Sequence, residues 1–148
     1  IGWGTGAVVL AAVAAWLFFP SFSVWWMPTD DWGVNDVGHT AVVFLSLLFQ
    51  TLGILIGSLA FSTGREALSL IWRGDSAAPI GLKVYFAATF GLMGLIWTLS
   101  MVAESLQTTW PDSSAWISEI ILIPSLLLTI GCGWVLRSSI RPRSGRRR

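Results

Sequence analysis

Four continuous apolar stretches divide the chain. They run from about Trp3 to Trp26, Thr40 to Phe61, Gly81 to Val102 and Trp116 to Leu136, and none has a Lys or Arg in its middle. A membrane-spanning helix needs about 20 mostly apolar residues. The runs are unbroken rather than alternating, which excludes the strands of a β-barrel. The pattern predicts an all-α integral membrane protein: one four-helix transmembrane domain over residues 1–140, followed by a basic tail at 141–148. The connections are short. In the one between spans two and three, "GREALSLIWRGDSAAP", Ala67, Leu68, Leu70, Ile71 and Trp72 lie between Arg65 and Arg73, which predicts a short helix on the membrane surface. Pro20 is expected to kink or end the first span, and Pro124 lies inside the fourth, where it frees a carbonyl one turn earlier.

Composition agrees with burial in lipid. Apolar residues make up 54% of the chain and charged residues 11%, against about 25% charged in a soluble protein. The formal charge of +1 conceals an asymmetry, because five of the nine basic residues stand in the terminal "RPRSGRRR". The other four are Arg65, Arg73, Lys83 and Arg137, all on one side of the predicted topology. The loops on the other side carry Asp30, Asp31, Asp36, Glu104 and Asp112, with no basic residue, and Glu119 opens the fourth span. Positive residues mark the cytoplasmic side. Both termini are therefore expected inside, with the acidic loops outside, in a bacterial inner or cytoplasmic membrane. The opening "IGWGTGAVVL" has no basic n-region, and a retained signal peptide is not expected there.

The ten Trp residues sharpen the boundaries. Trp25, Trp26, Trp32, Trp110 and Trp116 fall near the outer one, and Trp3, Trp72 and Trp134 near the inner one. Indole rings favour the headgroup level, so these positions read as anchoring belts. Trp16 and Trp97 fit the belts less well and are expected against other helices or lipid. Glu104 and Glu119, near the outer helix ends, are expected to reach water.

Candidate chemistry is sparse. "TDDWGVNDVGHT", residues 29–40, gathers three Asp and the single His of the chain, His39. Its spacing follows no metal loop, and Asn35 or Asp36 capping the second helix explains much of the composition. His39 could still ligate a haem or the magnesium of a pigment, one axial bond only. Cys132, deep in an apolar run, reads as a small buried thiol. No nucleophile has a base beside it, and no phosphate or dinucleotide motif occurs, so an enzyme is not expected. Gln50 is the one strongly polar residue at mid-span. Gly53 and Gly57 follow it at G-x-x-x-G spacing, and Ala7, Ala11 and Ala15 form a small-residue stripe on the first span. Such stripes let backbones approach closely, either within the chain or against another subunit.

Four spans in about 150 residues resemble, in topology alone, the small membrane subunits of some tripartite (TRAP-type) transporters. That resemblance implies a multi-component transporter. The residues themselves point first to a non-catalytic subunit that scaffolds or stabilises a larger membrane complex. Its expected partners are other membrane subunits and lipid, with anionic headgroups at the basic tail and no nucleic acid. The remaining alternative is a pigment-, haem- or quinone-associated subunit of a photosynthetic or respiratory complex, with His39 as the ligand.

Overall fold

The structure, a computed structural model, describes residues 2–26, 36–107 and 115–140, with the backbone alone at 26, 36, 37, 39, 107 and 115–119. The described residues are helical except for the connection at 74–81 and contain no strand. Four helices follow in order: α1 (Gly2–Ser23), ending in a 3-10 turn at Val24–Trp26, then α2 (Asp36–Arg73), α3 (Leu82–Gln107) and α4 (Ala115–Ile140). All four are long and apolar enough to cross a membrane.

Two of the sequence expectations are corrected here. Residues 65–73 do not form a separate surface helix; they continue α2, which reaches 38 residues. At about 1.5 Å per residue that is about 57 Å, against a hydrocarbon core of about 30 Å. The apolar signal stops at Phe61, but Arg65, Glu66, Ala67 and Leu68 are good helix formers, so the helix runs on. Gly74 stops it, at φ +72°, a backbone state that glycine enters without strain. The chain then turns back along α2. The Glu66 carboxylate accepts the Ala77 N–H at 3.1 Å, and Arg65 donates to the Ala78 carbonyl. The Gly81 carbonyl receives the Val84 and Tyr85 amides at 2.9 and 3.0 Å, opening α3.

The second correction concerns Pro20. Expected to kink or end the first span, it does not itself end α1, which runs three residues further to Ser23 before a 3-10 turn takes over. Nearby hydroxyls bond carbonyls of this last stretch: Ser21 donates to Leu17 or Phe18 at 2.8 Å, and Ser23 to Pro20 at 2.8 Å. Pro124 likewise lies within an unbroken α4.

The helices pack as two antiparallel hairpins. α1 lies closely along α2, and α3 along α4, whereas α2 and α3 meet far more sparsely. Glycine sets the hairpin contacts. A β-carbon on Gly53 would stand 2.9 Å from Phe18 Cβ and 3.1 Å from the Ala14 carbonyl oxygen. Gly57 faces Ala14 and Gly64 faces Ala7, each at 3.6 Å. In the other hairpin, a β-carbon on Gly94 would meet Thr129 Oγ1 at 2.7 Å and the Ser125 carbonyl at 2.9 Å, and one on Gly91 would meet Cys132 Cβ at 3.0 Å. Between lipid-covered helices there is no hydrophobic drive to associate, so this close approach supplies the attraction.

Candidate functional site

Several of the polar residues that the bundle hides, Gln50 and Ser100 first among them, collect where the hairpins meet. Gln50 is fully buried. Its amide spans three helices: Nε2 donates to the Ser21 carbonyl of α1 at 3.5 Å, and Oε1 accepts from Ser100 Oγ of α3 at 3.2 Å. Ser46, one turn before Gln50, is buried and donates to Val43 O at 2.9 Å. Ser100 and Glu104 stand one turn apart on α3, which places them on one face. Towards the other end of the seam, Ser58 and Tyr85 join α2 to α3 through a 2.9 Å hydroxyl contact. A polar group inside lipid must find partners, and these pairs supply them.

Glu104 requires a correction. Its place near the end of α3 suggested a wet helix end, yet only 3% of it is exposed. α3 extends three residues past it, and the tertiary packing covers it. Trp25 is corrected too. An interface anchor keeps its ring half exposed, but Trp25 is 1% exposed and packs with Val43, Leu47, Met101 and Ala103. The 3-10 turn after Ser23 brings it under the end of α3. Trp97 packs against the same cluster, with its indole N–H buried and without a hydrogen-bond partner among the described residues. No sequence signal separates Trp25 from the anchoring indoles, because it stands near a span end; Trp97 lies inside its span, where packing against other helices or lipid is expected, and it packs against this cluster.

The remaining predicted residues are placed as follows. Trp3, Trp72 and Trp134 are strongly exposed, all toward the end that carries Arg65, Arg73, Lys83 and Arg137. Gly53, Gly57 and Ala7 lie in the α1–α2 contact, within this chain. The contact on α1 follows Ala7, Ala14 and Phe18; Ala11 is exposed and Ala15 half-buried, so the stripe expected at 7, 11 and 15 is out of register. Cys132 is half-buried against Gly91. His39 lies in the first turns of α2; its side chain, and those of Trp26, Trp116 and Glu119, lie outside the described residues, as do Trp32, Trp110, the whole of Asn35 and the basic tail. Among the described residues, no cluster of His, Cys, Asp and Glu could hold a metal ion.

The second hairpin has its own hidden hydroxyls. Thr98 Oγ1 lies 3.1 Å from Ser125 Oγ, and Ser125, 2% exposed, sits one residue after Pro124. An open groove of about 370 Å³ lies between α1 and α2, walled by Trp16, Pro20, Val24, Leu45 and Phe49 with Ser21 and Ser46 at its lining. It is apolar and lies toward the end of the bundle opposite the basic residues.

The arrangement offers hydrogen bonds that fix helices, and a buried carboxyl group, but no nucleophile–base pair among the described side chains. Comparison with protein-family models, curated proteins and solved structures finds no match to this chain.

Proposed function

We propose that the chain is a non-catalytic integral membrane subunit that scaffolds or stabilises a larger membrane complex. One observation carries this reading. Gly131 and Gly133 of α4 are exposed, and a β-carbon on either would meet nothing within 4 Å. Glycine in a helix costs about 1 kcal/mol relative to Ala. In lipid that cost is offset where a neighbouring backbone comes close. The glycines of α2 and α3 that face the hairpin partners have such a neighbour; Gly131 and Gly133 lack one among the described residues. α4 is also the least covered helix, with 6% of its span buried against 39% for α3. Two residues apart in a helix point about 200° apart, so the two glycines open opposite flanks of α4, either side of Cys132, which faces Gly91. A helix from another subunit, seated on either flank, is the partner that fits.

The charge pattern supports an orientation with both termini cytoplasmic and the acidic loops outside, in a bacterial inner membrane. The basic tail then faces anionic headgroups.

The experiment is gentle extraction of the tagged chain from its native membrane, with mass spectrometry and an absorption spectrum of what accompanies it. Stoichiometric membrane partners are expected. A colourless chain arriving alone would overturn the reading. Visible absorbance lost in His39→Ala would replace it with the pigment- or haem-bearing subunit.

A second reading, a small subunit of a multi-component transporter, is favoured by buried Gln50, Ser100 and Glu104 along the joint between hairpins. Loss of substrate flux in Gln50→Leu with assembly intact would support it; unchanged flux would count against it.

A further inference from the structure

One face of α2 continues from the apolar span into its extension. Ile54, Ser58 and Phe61 on that face, with Val84, Ala88 and Leu92 of α3, wall a groove of about 480 Å³. One turn beyond Phe61 the same face carries Arg65, and then Leu68, Trp72 and Arg73; with Ala77 and Ala78 these wall a second groove of about 460 Å³. The returning segment lines both, through Ile80 in the first and Ala78 in the second. The two grooves thus follow one another along a single helix face.

Their chemistry changes at the level where a bilayer changes. From Thr40 to Phe61, α2 rises about 31 Å, the thickness of a hydrocarbon core of about 30 Å. Arg65 stands about 6 Å further on, within a headgroup layer about 5–7 Å deep. The first groove is therefore apolar at acyl-chain depth, and the second brings in a guanidinium at phosphate depth. Arg65 spends one N–H on the Ala78 carbonyl, which holds the group in place, and a guanidinium has five N–H donors. The adjacent carboxylate, Glu66, accepts the Ala77 amide.

We propose that this composite groove binds one anionic glycerophospholipid from the leaflet at the basic end of the bundle. An acyl chain lies between α2 and α3, in the sparse contact between hairpins. The phosphate is held by Arg65, and the rest of the headgroup lies along the α2 extension toward Arg73. A soluble acidic peptide would use the second groove and leave the first without an occupant. A neutral lipid would fill the first and make no use of the guanidiniums.

The test uses the full chain in detergent, supplied with phosphatidylglycerol or phosphatidylcholine of identical acyl chains, with retained lipid counted by native mass spectrometry. One phosphatidylglycerol per chain is expected, in preference to phosphatidylcholine. At about 1 kcal/mol per basic residue, Arg65→Gln should reduce that preference about 5-fold and Arg65→Gln/Arg73→Gln about 30-fold. Lys at both positions should keep most of it, which separates charge from fold. Ala88→Trp, filling the first groove, should lose both lipids alike. Equal retention of the two lipids by the unaltered chain, or an unchanged preference in the double Gln variant, would overturn the proposal. So would an acidic peptide that binds the unaltered chain in place of phosphatidylglycerol and binds Ala88→Trp equally well, which would assign the second groove to a soluble partner.

Discussion

The contacts within each hairpin and the contact between hairpins are built on different physics. α1 meets α2, and α3 meets α4, through glycines whose missing side chains admit a neighbouring backbone. α2 meets α3 through polar side chains, at Gln50–Ser100 and again at Ser58–Tyr85, and through the apolar cluster around Trp25. A backbone contact cannot yield without moving a whole helix. A side-chain hydrogen bond can change its partner by a rotamer, and in a membrane it is worth on average about 0.6 kcal/mol. The chain is therefore two firm hairpins joined by a softer seam, and substitutions should sort accordingly.

The largest effect is expected at Gly94. A β-carbon there meets a backbone carbonyl at 2.9 Å and a backbone nitrogen at 3.1 Å as well as the Thr129 hydroxyl, so Gly94→Val should cost about 3 kcal/mol through overpacking. Unfolding of the chain in mixed detergent–SDS micelles measures it. Gly53→Ala should cost about 1–2 kcal/mol by the same mechanism, since Phe18 Cβ at 2.9 Å and the Ala14 carbonyl at 3.1 Å must both give way. Gly57→Ala meets only Ala14 Cβ at 3.6 Å, ordinary contact, and should change stability little. Equal costs at 53 and 57 would break the idea that the hairpin is sealed at one close crossing.

The seam comes next. A double-mutant cycle of Gln50→Leu with Ser100→Ala should give a coupling of about 0.6 kcal/mol, and at most about 1.7. The single Gln50→Leu should cost more than the coupling, because it also removes the donor to the Ser21 carbonyl. A coupling near zero would mean that the two hairpins are held by something other than this amide. Ser58→Ala should be milder still, about 0.5 kcal/mol, because Ser58 can also bond within its own helix, to Leu55 O at 2.7 Å.

The four spans were legible because apolar runs of this length have one ordinary use. What lay beyond them was not. The reach of α2 past Phe61 depends on helix propensity and on Gly74, and a hydropathy reading stops where the apolar residues stop. The α1 stripe was misplaced because counting by four selects Ala7, Ala11 and Ala15, whereas an antiparallel neighbour touches Ala7, Ala14 and Phe18, a spacing set by how two helices cross. Glu104 and Trp25 looked like boundary residues by their distance from a span end. Their burial comes from α3 running on to Gln107 and from the turn after Ser23, neither of which the local sequence announces. Gln50 stood out as the one strongly polar side chain at mid-span, but its partners Ser21 and Ser100 lie 29 and 50 residues away in sequence and are ordinary serines.

The smallest expected effect on the isolated chain is also the one that bears most on function. Gly131 and Gly133 contrast with Gly91 and Gly94: they stand on the two flanks of α4, and a β-carbon on either would meet no neighbour among the described residues. Replacing either by Ala relieves the entropic cost of glycine and introduces no clash, so the purified chain should be unchanged or more stable by up to about 1 kcal/mol. If a helix of another subunit approaches either flank as closely as α4 approaches Gly94, the substitution on that flank should weaken that contact by about 1–3 kcal/mol, and less partner should survive extraction from the native membrane. The two readouts then move in opposite directions, which a general folding defect cannot produce. If both the chain and its partners are indifferent to Gly131→Ala and Gly133→Ala, both flanks of α4 belong to lipid, and the scaffold reading loses the observation that carries it.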